Sequence, residues 1–185
     1  RAFAAHVDAS FVEPLSLPGP TGEKNELSLH PRGLVACLAT SGPGSIAALI
    51  AEAGAALTTG NGVLLWHGEP GIADQVAQAF RDAGVDGAAL IPVESGNTAS
   101  LKDLVSIPVL EAVCIAGSTA LAVAINRTLA EADLAIRPVI VFRENPADDI
   151  GAGQPLAGSP HYLHRFVHER SLSIDTTASG GNASL

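Results

Sequence analysis

Between residues 33 and 143, short aliphatic runs alternate with alanine-rich stretches of helical period, and this alternation constrains the fold more than any single motif does. In LVACLA, VLLW, AVCIA and VIVF the apolar residues are consecutive, so both faces of each run must be buried. The runs at 34–40, 63–67, 88–93, 112–116 and 138–142 read as strands, and 45–57, 72–83, 99–105 and 118–131 as helices. The first helix places Ile46, Leu49, Ile50 and Leu57 at helical spacing. Glu69 and Asp74 suit the positive end of the second helix, and Ser118 or Thr119 caps the last. Strands that alternate with helices in this way predict an α/β fold: a Rossmann-like, doubly wound parallel sheet covered on both faces.

The two ends depart from this pattern. In FVEPLSLPGPTGEKNELSLHPRG, two extended segments flank a Pro- and Gly-rich turn, which predicts a β-hairpin. Pro146, Gly151, Gly153, Pro155, Gly158 and Pro160 mark a loop, and FVHERSLSID beyond it carries partial strand alternation. The expected organisation is an N-terminal segment and hairpin over 1–32, a core over 33–143, a loop over 144–160, and a strand with an extended C-terminal arm over 161–185.

Composition narrows the function classes. A hydrophobic share of 47% against 16% charged residues excludes a disordered chain. The net charge of -9 argues against nucleic acid or an anionic membrane as partner, since both are held by clustered Lys and Arg. No apolar run reaches the roughly 18 residues that span a bilayer, and the first thirty residues lack the pattern of a signal peptide. These features predict a cytoplasmic protein. A chain of 185 residues without methionine, beginning at Arg1, is expected to be a piece of a longer polypeptide.

The candidate chemistry is sparse. Ser41-Gly42-Pro43-Gly44-Ser45-Ile46-Ala47 fits G-x-G-x-x-A between a strand and a helix, where glycines let a pyrophosphate approach a helix N-terminus, and Glu69 follows the next strand as a ribose ligand. Yet no Lys or Arg occurs between Gly33 and Ala79, so only backbone N–H groups could hold an anion there. Gly117 and Ser118 open a second helix and serve either an anion or a cap. Trp66 is a stacking platform or a packing anchor. Cys37 and Cys114 sit in apolar runs and read as core residues, a disulfide being open only if those runs are adjacent strands. His161, His164 and His168 lack an accompanying carboxylate or cysteine cluster, so no metal site is expected. No G-x-S-x-G or other nucleophile motif is present, and no catalytic residue is assigned.

The order of motifs resembles the cofactor-binding half of the aldehyde dehydrogenase superfamily. Pro31 and Gly33, Gly60-Asn61, Glu69 and Gly117-Ser118-Thr119 carry the likeness. By that resemblance, Ser41-Gly42-Pro43-Gly44 replaces a loop whose Asn stabilises the oxyanion, and Trp66 replaces a ribose-binding Lys. Likewise Val141-Phe142-Arg143-Glu144-Asn145 replaces the segment with the general base, and the domain bearing the nucleophilic cysteine is missing.

The two ends, LPGPTGEKNELSLHPRG and VHERSLSIDTTASGGNASL, look like the C-terminal domain of the long forms of the proline utilization A family. That family joins an FAD-dependent proline dehydrogenase to an NAD-dependent glutamate semialdehyde dehydrogenase. The resemblance implies a domain without cofactor or activity of its own, whose hairpin and arm form a flap over the semialdehyde dehydrogenase domain of the same polypeptide. It implies an interface and tunnel lid at Leu172, Ser173, Ile174, Asp175, Thr176, Thr177, Ala178, Gly180, Gly181, Asn182, Ala183, Ser184 and Leu185, with Asp175 and Ser179 where Asn and Ala are usual. Retained NAD affinity at Gly42, Gly44 and Glu69, or self-association through the flap, are the alternatives.

Overall fold

The computed structural model of the chain describes residues 13–94, 98–142 and 160–175. Strands β1 (Leu15–Leu17) and β2 (Glu23–Pro31) open it, followed by β3 (Leu34–Ala39), helix α1 (Ser45–Thr58), β4 (Gly62–His67) and α2 (Ile72–Asp82). Next come β5 (Leu90–Pro92), α3 (Thr98–Val105), β6 (Leu110–Ala116), α4 (Thr119–Glu131) and β7 (Val139–Phe142). The short helix α5 (Pro160–Leu163), a 3-10 turn at His164–Phe166 and β8 (Val167–Asp175) complete it.

The central sheet has the order β5-β4-β3-β6-β7, with every neighbouring pair parallel. Its strands read as unbroken apolar runs because alternate residues feed two separate cores. Val35, Cys37 and Ala39 pack with Leu49, Ala53 and Ala56 of α1 and Val76 of α2. Ala36 and Leu38 pack on the other face with Leu101 and Leu104 of α3 and Ala122 and Ile125 of α4. The expected doubly wound sheet is therefore present. Element boundaries shift by one or two residues from those expected; the strand expected from residue 88 starts at Leu90, because Asp86 Oδ1 accepts from the Ala88 N–H (3.0 Å) and holds Gly87–Ala89 in a 3-10 turn. Among the described residues the buried Arg137 has no carboxylate as a hydrogen-bond partner. Its guanidinium donates instead to the carbonyls of Val105 (2.8 Å) and Pro108 (3.0 Å), where the end of α3 presents negative dipole charge.

Outside this sheet, β1, β2 and β8 form an antiparallel ribbon in the order β1-β2-β8. Gly22, at φ 94°, closes the predicted turn in a conformation that suits glycine. All nine residues of β2 pair with β8, from Glu23 opposite Asp175 to Pro31 opposite Val167. Of the loop expected at 144–160, residues 144–159 lie outside the described residues, as does the arm from Thr176 onward, while Pro160 opens α5.

What joins ribbon to core is a compact anchor. Tyr162, Leu163 and Phe166 are buried against the α1 face of the sheet, and the Tyr162 ring meets the rings of Phe142 (5.9 Å) and Phe166 (5.2 Å) edge-on. Asn61 is the polar centre of the join. Gly60, at φ 85°, ends α1 and turns the chain so that the Asn61 side chain points inward. Its Nδ2 donates to the carbonyls of Ala56 (3.1 Å) and Phe166 (3.0 Å), and its Oδ1 accepts from the Gly33 N–H (3.0 Å). One side chain thus ties the end of α1, the start of β3 and the root of β8. Removing it strands buried backbone groups, so Asn61→Ala is expected to lower stability by about 3 kcal/mol in urea denaturation.

Candidate functional site

In an open α/β sheet, ligands bind beyond the C-terminal ends of the strands where the strand order reverses. Here that point lies between β3 and β6, whose ends are joined by the Thr40 N–H donating to the Ala116 carbonyl (3.1 Å). The structure brings Gly42, Gly44, Glu69, Gly117 and Ser118 to this edge. Gly44 (φ 79°) and Gly71 (φ 79°) precede α1 and α2 in the left-handed region, and neither helix start carries a side-chain cap. The first turn of each helix therefore offers unsatisfied N–H groups. The α4 start differs, since Ser118 Oγ accepts from the Leu121 N–H (3.3 Å), the capping role foreseen for it. Gly117 is held close to Thr40: a Cβ on it would come 3.0 Å from Thr40 Oγ1.

Trp66 is not part of that edge constellation. It alternates along β4 with His67, so the two side chains leave opposite faces of the sheet. The indole is 4% exposed and packs within the cluster that contains Leu38, Ile115, Leu101 and Ile125, while its Nε1 has no hydrogen-bond partner among the described residues. Of the two roles foreseen for Trp66, this placement is that of a packing anchor.

His67, completely buried, organises the α1 side of the edge. Its Nδ1 accepts from the Glu69 N–H (3.0 Å), which leaves the ring proton on Nε2, 3.0 Å from Ser45 Oγ. The distance is that of a serine–histidine dyad, but the tautomer is reversed. The imidazole donates to Ser45 and cannot take its proton, so it braces the start of α1 and pins Glu69 rather than generating a nucleophile.

A second polar constellation lies inside the core. Glu52 of α1 is fully buried, and among the described residues neither carboxylate oxygen has a hydrogen-bond partner of ordinary geometry. Around it stand Cys37, Cys114 and Tyr162; the Tyr162 hydroxyl is 3.3 Å from Cys114 Sγ. Burial pushes the Glu52 carboxyl well above the usual range, against a smaller opposing effect of the Cys114 thiol, so it is held as a neutral acid. Burial also raises both thiols and the phenol, and the neighbouring Glu52 adds to each shift. Cys37 and Cys114 are directly opposite on adjacent strands and are free thiols, which answers the question of adjacency. Thiols held protonated and out of solvent are inert.

Among the described residues no group of three or more His, Cys, Asp or Glu is placed to hold a metal, and no helix is long and apolar enough to cross a membrane. Leu172, Ser173, Ile174 and Asp175 lie on the exposed outer part of β8. Thr176, Thr177, Ala178, Gly180, Gly181, Asn182, Ala183, Ser184 and Leu185 lie outside the described residues.

Sequence reasoning missed Glu52, His67 and Arg137. For Glu52 a signal existed: it falls three residues after Leu49 and four before Ala56, on the buried stripe of α1. A polar residue on such a stripe is the informative exception.

No family model matches the chain. It is 32% identical over 178 residues to the bifunctional protein PutA of Rhizobium meliloti, an alignment that covers 92% of this chain and 12% of that protein. A Bradyrhizobium japonicum proline utilization A mutant of known crystal structure superimposes with a TM-score of 0.68 at 32% identity, over 76% of this chain and 14% of that one. A succinate-semialdehyde dehydrogenase from Burkholderia pseudomallei shares the fold, with a TM-score of 0.64 at 23% identity over 75% of this chain and 28% of that one. The chain thus spans 11% to 12% of the length of the curated relatives it matches.

The buried acid makes a pH signature. Because the folded state raises the pKa of Glu52, it retains a proton that the unfolded chain releases above about pH 4.3. The contribution to stability is whole below that pH and is lost as pH rises toward the folded-state value. Glu52→Gln removes this loss, so its melting temperature relative to the parent chain should climb between about pH 5 and pH 8 in thermal denaturation.

Proposed function

Since the chain is a PutA-like domain of the aldehyde dehydrogenase fold, we propose that it is the noncatalytic C-terminal scaffold of a bifunctional proline-oxidising enzyme, whose ribbon and terminal arm cover the neighbouring semialdehyde dehydrogenase domain and close the tunnel that carries the intermediate. In that parent, FAD and NAD serve the catalytic domains, and this domain binds neither.

The observation that carries the reading is an anchored ribbon with an uncovered outer strand. Asn61, Tyr162 and Phe166 fix the root of β8 to the core, yet the eight residues beyond Val167 are exposed along the whole strand. A strand edge held out in this way is a template for pairing with another sheet, and it leads directly to the arm at Thr176–Leu185. Glycine and small residues in that arm permit close approach to a partner wall.

The edge of the core supports the noncatalytic half of the reading, because its residues do not fit a dinucleotide. There is no cation from Gly33 to Ala79 to neutralise a pyrophosphate, and the Ser118 hydroxyl is committed to capping α4. The indole of Trp66 is packed into the core at the position where the superfamily resemblance implies a ribose-binding lysine. With His67 in the donating tautomer and both thiols buried, neither Ser45 nor a cysteine is activated among the described residues to attack a carbonyl. The uncapped start of α1 favours the rival reading of retained NAD affinity.

Two measurements test the proposal. The 185-residue chain should show no NAD-dependent oxidation of glutamate semialdehyde, and calorimetric titration should find no NAD binding tighter than about 100 μM, or roughly -5.5 kcal/mol; tighter binding overturns the noncatalytic reading. Deleting residues 176–185 from the parent enzyme should let the intermediate escape to a trapping reagent in solution, and transfer without loss would sink the lid role. Sedimentation of the chain reports whether the ribbon also self-associates, which is compatible with covering.

A further inference from the structure

Helix α1 divides its polarity the wrong way round for a surface helix. Its one charged side chain, Glu52, is buried in the core, while Ile46, Ala47, Ile50, Ala51, Gly54 and Thr58 fall on the outward face at helical spacing. Ile46 and Ile50 are each 44% exposed. Thr58, the polar residue of the set, turns its hydroxyl back to donate to the Gly54 carbonyl (2.6 Å). By contrast α2, on the same side of the sheet, turns Asp74, Gln75, Gln78, Arg81 and Asp82 to solvent. A helix that is apolar on every side belongs under another layer. The small residues of this face, with isoleucines along one side of them, form a groove that accepts a second helix at close range.

The chain carries a segment of matching character and reach. In RAFAAHVDASFV, Phe3, Val7 and Phe11 recur every four residues, the spacing of one helix face, with Arg1 and Asp8 on the opposite side, and Pro14 ends the pattern. Residues 1–12 precede the described part of the chain, and β1 shows where they arrive. Its pairing, Leu15 opposite Leu27 and Leu17 opposite Asn25, turns the start of β1 toward the root of β2. That root lies against the end of α1, since a Cβ on Gly60 would stand 3.5 Å from the Pro31 ring. Leu27 and Pro31 are about 13 Å apart along the strand, and a helix over residues 1–12 spans about 18 Å, close to the length of α1. The C-terminal arm, TTASGGNASL, has no such stripe and leaves β8 at Asp175, opposite Glu23 and about 27 Å from the root. A second copy competes only from solution, whereas a segment tethered this closely acts at an effective concentration on the order of millimolar.

We propose that residues 1–12 form an amphipathic helix that lies along the outward face of α1, with Phe3, Val7 and Phe11 against Ile46, Ile50 and the groove of small residues. The start of β1 is then tied to the core as Asn61 ties the root of β8, and the ribbon is held at both of its edge strands. This assignment does not depend on the covering role proposed above, and either can fail without the other.

Thiol labelling and cross-linking, read by mass spectrometry of the modified peptides, test it in the 185-residue chain and in the parent enzyme; Cys37 and Cys114 are buried and do not compete. A maleimide should label Ala51→Cys on the order of tenfold more slowly than Gln78→Cys on α2, and adding Phe3→Ser with Phe11→Ser should restore the faster rate. Under mild oxidation Val7→Cys with Ala51→Cys should close an intramolecular disulfide, and Val7→Cys with Ser173→Cys on the ribbon should not. Circular dichroism of each variant guards against loss of the fold. If Ala51→Cys is labelled as fast as Gln78→Cys, the face is open and the inference fails. If labelling is slow but indifferent to Phe3 and Phe11, another occupant covers the face: a rate that rises on dilution identifies a second copy, and protection found in the parent alone identifies its dehydrogenase portion. Either result overturns the assignment, as does a cross-link to Ser173→Cys in place of Ala51→Cys.

Discussion

The carbonyl of Phe166 receives the Nδ2 donor of Asn61 at 3.0 Å and the backbone N–H of Arg32 at 3.4 Å, and the position of everything outside the central sheet follows from that meeting. Two chain segments more than a hundred residues apart are brought to one point: β2 leaves the core just before Gly33, and β8 leaves it just after Phe166. Because both strands are held at their roots, their nine-residue ladder forms in a single register. Aromatic packing of Tyr162 and Phe166 excludes water from the junction, which makes each of its hydrogen bonds more costly to lose. The Arg32 side chain adds a further strut, donating from Nε to the Arg165 carbonyl at 2.6 Å.

The polar groups of the core are used for construction. Arg137 closes the end of α3, His67 braces the start of α1, and Ser118 caps α4. Glu52 is the exception, a neutral acid sealed beside two thiols and a phenol with no ordinary hydrogen bond among the described residues. Such a group costs stability wherever the surrounding pH favours its charged form, and the fold tolerates it because the alanines of α1 and the two faces of the sheet bury enough apolar surface around it. A sheet laid out like that of a dinucleotide-binding enzyme thus keeps its architecture while its polar residues hold helices in place. The ribbon carries exposed apolar residues on both of its faces, Leu15 on one and Leu172 and Ile174 on the other.

Much of this was legible from local pattern. Consecutive apolar residues in LVACLA and AVCIA announced strands buried on both sides, and all five strands of the sheet appear where such runs occur. The hairpin was legible from LPGPTGEK, because proline and glycine restrict the backbone to turns whatever surrounds them. The Gly60-Asn61 pair carried the superfamily likeness, although its sequence says nothing about Phe166, the acceptor 105 residues away. The role of Trp66 stayed open between stacking and packing until the alternation of β4 placed it on the face covered by α3 and α4. Glu52 was overlooked because glutamate in a helix ordinarily faces water, and only the stripe it shares with Leu49 and Ala56 separates it from a surface residue.

By itself the sequence determined the identity and order of the elements, since hydrophobic periodicity, glycine and proline act over a few residues and need no distant partner. It also determined the charge balance and the absence of cations along the first strand–helix–strand unit. Only the tertiary structure decided which strands became neighbours, that Cys37 and Cys114 stand side by side, that the proton of His67 points toward Ser45, and that the leucines of β1 and β2 share a face with Glu169 and Asp175. Those outcomes depend on register and on contacts between residues far apart in the chain, where a shift of one position moves every side chain to the other face of the sheet.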